Sequence, residues 1–186
     1  MPASLLEVDT QQGLADALFV SSRHAQVSLH FNKGLAGAPA AAIDAAADTA
    51  MNPAVLSAFA LAIAADGQGP ADPGIRGHEP SVESGRKARA RIAHCMNPLR
   101  ALVPNPGSYV SESNYFEKDW QHAYWGNNYP RLEAIKRQYD PDGLFFVHNG
   151  VGSEQWSARM DSRNDKPGST DAKVPDRQAR ARCRNS

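Results

Sequence analysis

Six histidines, at positions 24, 30, 78, 94, 122 and 148, are the side chains best suited to bind a metal or carry a proton at neutral pH. None falls in an HExxH arrangement or any other paired ligand spacing, so no metal site is expected. Cys95 and Cys183 stand far apart, which gives neither a disulfide framework nor a metal pair. The chain has no GxSxG elbow for a nucleophilic serine, no Walker-type loop and no GxGxxG turn. GLAGAP at 34–39 is glycine-bearing but matches none of these patterns and reads as a strand-to-helix turn.

Two further groups have the right chemistry in a more specific setting. Glu112 lies in SYVSES, where strand alternation puts Tyr109, Ser111 and Ser113 on one face and Val110 and Glu112 on the other. A carboxylate there serves as a general base if it is partly buried, or as an edge charge if it faces water. Asn128 lies on a stripe of Trp120, Tyr124, Leu132, Ile135 and Tyr139, spaced as one face of a helix. Its amide needs a partner if buried. An N-cap role for the helix opening at Tyr129 and Pro130 supplies one without any ligand. Arg131 and Arg137 read as solvated or paired with Glu133.

The elements that position these groups point to an α+β fold. Residues 1–24 form a helical lead with Leu14, Ala17 and Leu18 on one face. AQVSLHFNKG alternates as a half-buried strand, PAAAIDAAADTAM is helix-prone, and Asn52-Pro53 interrupts it. VLSAFALAIAADG fits a second strand paired antiparallel with 26–33, and a Gly/Pro loop covers 67–80. Residues 81–102 read as a helix that Pro98 should kink or shorten. After an extended SYVSES, residues 119–139 form a helix broken near Gly126 and Pro130. DPDG then turns into a short strand, LFFV, and the polar stretch from 158 to 186 reads as disordered.

Charge balances at 20 basic and 20 acidic residues, so no global field favours nucleic acid or an anionic membrane. The amino terminus lacks the pattern of a signal peptide, and the apolar run at 54–65 is too short to span a bilayer. A cytoplasmic location is the default expectation.

The motif from SYVSESNY through WGNNYPRL and YDPDGLF to GVGSE resembles the carboxyl-terminal segment of the berberine-bridge-enzyme-like FAD-linked oxidases, in the vanillyl-alcohol-oxidase superfamily. Tyr109, Glu112, Trp120, Trp125, Gly126, Asn128, Tyr129, Arg131, Leu132, Tyr139, Asp140, Pro141 and the stretch 150–154 carry it; Ser111 stands where many members have asparagine. The resemblance implies a carboxyl-terminal segment at 106–157, preceded at 25–105 by part of an antiparallel-sheet substrate domain. It implies that FAD is the cofactor, with Tyr109, Asn128 and Tyr129 at the flavin's polar edge and Glu112 where some relatives carry a tyrosine base. The implied reaction is hydride transfer to flavin from an alcohol, a carbohydrate or a secondary metabolite.

The family's FAD-binding half has no counterpart in these residues. The chain is therefore expected to be a fragment of such an enzyme, a docking module completing a separately encoded flavin domain, or an inactive remnant. The aromatic stripe of Trp120, Tyr124 and Tyr139 is expected to be partly exposed where that half is missing.

Overall fold

The computed structural model describes residues 1–157 apart from positions 68 and 70. The stretch 158–186, read above as disordered, lies outside the described residues. The fold is α+β, with a helix pair, a small antiparallel sheet and a helical carboxyl-terminal segment.

The helix pair follows from two amphipathic stripes. Helix α1 (Gln11–Ser22) buries Leu14, Ala17 and Ser21, and helix α3 (Val82–Ala101) buries Cys95 and Leu99. The two run antiparallel. Gly13 lies beside the Leu102 side chain at one end, and the Cys95 thiol reaches the Ala25 carbonyl at 3.9 Å at the other. Ser81 caps α3 by accepting the Ser84 amide at 3.2 Å. The helix continues three residues beyond Pro98 to Ala101, so the expected shortening does not occur. The proline comes three residues before the end and deletes one intrahelical bond, while Leu99 beside it stays buried in the core.

The two expected strands pair as read, although both are shorter. Strands β1 (Ser28–His30) and β2 (Leu61–Ile63) are antiparallel, with Ser28 opposite Ile63 and His30 opposite Leu61. The alternation in the sequence predicts a longer β1, but Phe31–Lys33 coil into a 3-10 turn. The reason is a close backbone approach at Gly34, where an added Cβ would lie 2.2 Å from the Ala58 carbonyl oxygen. That carbonyl accepts the Ala36 amide at 2.9 Å, and the Val55 carbonyl accepts the Leu35 amide at 3.0 Å. Chain reversal thus replaces ladder pairing. Helix α2 (Ala40–Ala47) follows, and Asn52 then caps the 3-10 turn Pro53–Ser57 by accepting the Ala54 amide at 2.9 Å.

The carboxyl-terminal segment folds around helices α4 (Trp120–Trp125) and α5 (Tyr129–Tyr139). The predicted break is present: Gly126 adopts φ +53°, and residues Gly126–Asn128 form a 3-10 turn. The two short strands expected here are not formed. Val110–Glu112 is a 3-10 turn between extended neighbours, and residues 144–147 pair with no strand among the described residues. At 144–147 a side chain takes the place of a partner strand, since the Asp140 carboxylate accepts the Leu144 and Phe145 amides at 2.8 and 3.0 Å.

The aromatic stripe also differs from expectation. Trp120 and Tyr124 are 9% and 3% exposed and form a core with Ala123, against which Trp125 and Tyr129 pack edge-on or tilted. Only Tyr139 of the expected exposed trio faces water, at 78%. The segment supplies enough apolar surface of its own to cover the two rings nearest α4. No helix among the described residues is long and apolar enough to cross a membrane.

Candidate functional site

Two of the four sequence-derived site residues, Asn128 and Tyr129, lie at the start of α5. Asn128 precedes the helix, yet its side chain makes no capping bond. Its amide instead donates to the Thr49 carbonyl at 3.1 Å and to the Met51 carbonyl at 2.7 Å. The N-cap expectation therefore gives way to a long-range latch. The α5 start needs little capping help, because Pro130 brings no N–H and Asn128 already has helical dihedrals.

Asn52, which sequence reasoning passed over, completes this latch from the other side. Its amide donates to the His122 and Ala123 carbonyls at 3.1 and 2.8 Å, satisfying the exposed end of α4. Gly126 is required opposite it: at φ +53°, an added Cβ would meet Asn52 Oδ1 at 3.1 Å and Pro53 Cδ at 3.2 Å. Gly107 faces Asn52 and Ala54 equally closely, and the Ser108 amide donates to the Ala123 carbonyl at 2.6 Å. Two asparagines thus stitch the 49–54 loop to the α4–α5 corner. The signal available in the sequence was Asn52-Pro53, a turn dipeptide whose partner lies some 70 residues away.

Tyr129 is held by a second polar knot. Its hydroxyl donates to the Glu154 carboxylate, with both oxygens within 2.8 Å, and accepts the Gly152 amide at 3.2 Å. Burial, then the Glu154 hydrogen bond and the negative charges of Glu154 and Glu133, push the phenol well above its ordinary range; the Gly152 amide opposes them. Tyr129 is consequently a neutral donor at all physiological pH values.

Tyr109 and Glu112 lie apart from these knots. The Lys33 ammonium sits 4.5 Å from the centre of the Tyr109 ring, whose side chain is partly exposed. Glu112 is exposed on its 3-10 turn, and its amide donates back to the Tyr109 carbonyl at 3.0 Å. Partial burial, the condition for a general base at this position, is not met by the chain itself. Arg137 pairs with Glu133 as read, and Arg131 pairs with Asp48 at 2.8 Å. No group of three or more metal-binding side chains occurs among the described residues.

Of the three residues expected at a flavin edge, the structure leaves only Tyr109 exposed. The Tyr109 ring presents an exposed face, whereas the amide of Asn128 and the hydroxyl of Tyr129 are engaged within the chain. A dinucleotide also needs backbone donors around its pyrophosphate, and the chain carries no glycine-rich loop of that kind.

Residues 108–152 match the family described as "Berberine and berberine like". The chain is 49% identical over 82 residues to the FAD-linked oxidoreductase easE of Arthroderma benhamiae, covering 43% of this chain and 16% of that protein. It is 37% identical over 112 residues to the FAD-linked oxidoreductase notD of an Aspergillus species, covering 59% of this chain and 16% of that one. A crystal structure of a VAO-type flavoprotein from Myceliophthora thermophila C1 superposes with a TM-score of 0.64 at 25% identity, covering 84% of this chain and 27% of its own. The chain therefore spans only about a sixth of these two curated relatives, and its fold is that of part of a VAO-type flavoprotein.

Proposed function

We propose that this chain is the carboxyl-terminal part of an FAD-dependent oxidoreductase acting on an alcohol, a carbohydrate or a secondary metabolite. The observation that carries the reading is the agreement of two comparisons: the berberine-like match at 108–152 and the identity to proteins named FAD-linked oxidoreductases. A bound flavin would supply the two-electron redox chemistry.

The chain's own residues have positioning work in this reading. Tyr109 would offer its ring to the cofactor's edge, and the Lys33 ammonium, 4.5 Å from the ring centre, helps fix that ring. Asn128 and Tyr129 set the height and tilt of the α5 start through Thr49, Met51, Glu154 and Gly152, so that the backbone facing the cofactor is rigid. Glu112 becomes a proton acceptor only when a covering surface dries its turn.

The test is a chimera joining the missing portion of easE to residues 1–186. Retained flavin absorbance after desalting, together with substrate-dependent oxygen uptake on a panel of alcohols and sugars, is the expected result. A folded chimera that holds no flavin overturns the reading.

A further inference from the structure

Spacing along the sequence gives no metal pair, yet the fold brings together two histidines that the chain keeps far apart. His24 lies just past the end of α1 and His94 lies in α3; their ring centres are 5.6 Å apart and their planes are inclined by 42°. Both residues are exposed. The helix pair sets this approach. The His24 amide donates to the Ser21 carbonyl at 3.0 Å, and the Cys95 thiol donates to the Ala25 carbonyl at 3.9 Å, so the backbone beside each ring is fixed.

An inclination of 42° is neither the offset stack nor the edge-to-face pair that rings adopt for their own contact. It suits a shared ion. Two imidazoles on one zinc ion, with Zn–N of about 2.0–2.1 Å and a roughly tetrahedral angle, hold their ring centres about 5–6 Å apart. The location favours a cation as well, because the carboxyl-terminal end of a helix carries partial negative charge and α1 is 12 residues long. Arg91, one turn before His94, is drawn off to Asp66 at 2.5 Å. Cys95 is not a ligand, since its side chain is fully buried and desolvation pushes its thiol up, away from the thiolate a metal needs.

We propose that His24 and His94 form a surface site for one divalent transition-metal ion of the Zn2+ type, which pins the end of α1 to α3. The chain supplies two nitrogen ligands and water fills the remaining positions, because no three metal-binding side chains come together among the described residues. A hard ion such as Mg2+ prefers oxygen ligands and keeps its own water, so ligand type alone gives the site its selectivity. The other histidine with a carboxylate neighbour, His78, spends its Nδ1 on Asp72 at 3.2 Å within the 67–80 loop. Unlike that local pair, His24 and His94 belong to two different helices, so a bound ion couples to helix packing. The site does not depend on the flavin-oxidoreductase reading.

The experiment uses the 186-residue chain, purified without a histidine tag and carrying Cys183→Ser so that this second thiol takes no metal. Titration calorimetry with zinc chloride is expected to show one ion per chain. Saturating Zn2+ should raise the melting midpoint by about 3 °C, and Mg2+ should leave it unchanged. His24→Ala and His94→Ala should each weaken Zn2+ binding at least tenfold and abolish the shift, whereas His78→Ala should alter neither. Metal-free melts report whether each variant folds; glutamine replaces alanine at a position where it does not. Equal Zn2+ affinity in the parent chain and in both helix variants overturns the site, as does binding that only His78→Ala removes. One ion per two chains, with a dimer on gel filtration, would put the ion between copies and overturn the pinning of α1 to α3.

Discussion

Asn128 shows how much a single side chain's role depends on a partner that local sequence does not reveal. Read locally, it is a helix cap, and aspartate caps as well as asparagine. In the fold its amide donates to two carbonyls, at Thr49 and Met51, which an aspartate has no hydrogens to reach. Asn128→Asp should therefore cost about 1–3 kcal/mol, from two lost bonds of about 1 kcal/mol each and the repulsion of a carboxylate by carbonyl oxygens. Thermal melting of the chain checks this; an unchanged midpoint supports the capping role instead. Tyr129 gives a second test. Its folded pKa is raised above the usual value of about 10, so its contribution is fully present below that pH. Above it the unfolded chain ionises first, and stability falls as pH rises through the folded value. Tyr129→Phe should melt less steeply with pH above 10 than the wild type does. Tyr109, Glu112, Asn128 and Tyr129 were legible in the sequence as members of one motif. The partners of the last two were not, because Thr49 lies 79 residues from Asn128 and Glu154 lies 25 residues from Tyr129.

Elements whose reason is local were legible, and those decided by tertiary contact were not. The stripe Leu14, Ala17, Leu18 and the period in 81–102 each specify a helix before any packing is known. Gly126 likewise breaks α4 from α5 through its own conformational freedom. By contrast, β1 stops early because Gly34 meets Ala58, and 144–147 is no strand because Asp140 occupies its amides. Two predictions belong here. The Ser21 hydroxyl is buried in α1 without a hydrogen-bond partner among the described residues. Ser21→Ala removes an orphaned polar group and should raise stability by about 1 kcal/mol in denaturant melts; Leu99→Ala, by contrast, should lower it by about 2–4 kcal/mol. The Asp140 turn should be acid-sensitive. The Lys136 hydrogen bond, with the Phe145 and Leu144 amides, holds the Asp140 carboxyl below its ordinary value against a smaller desolvation penalty. Its contribution is present above the unfolded value of about 3.9 and is lost as pH falls through the lower folded one. Asp140→Asn should flatten that part of the acid melt.

At the scale of the molecule, the chain has a core that is self-sufficient in its helices and incomplete at its surface. Cys95, Leu99, Trp120 and Tyr124 are buried without help from any other polypeptide. A sheet of two three-residue strands, however, is too small to stand independently, and the 139–147 face is apolar toward water. These properties separate folding from cofactor retention. The chain should melt cooperatively by itself, because its buried residues span both the helix pair and the α4–α5 corner, which the Asn52 and Asn128 latches tie to the 49–54 loop. It should not retain FAD, because its sequence carries none of the glycine-rich phosphate-binding motifs that supply backbone donors to a pyrophosphate. Mixing the purified chain with excess FAD, desalting and recording the visible spectrum is expected to leave no flavin band. A band near one flavin per chain would mean that the chain cradles the cofactor unaided, and the expectation drawn from the absent phosphate-binding motif would have to be given up.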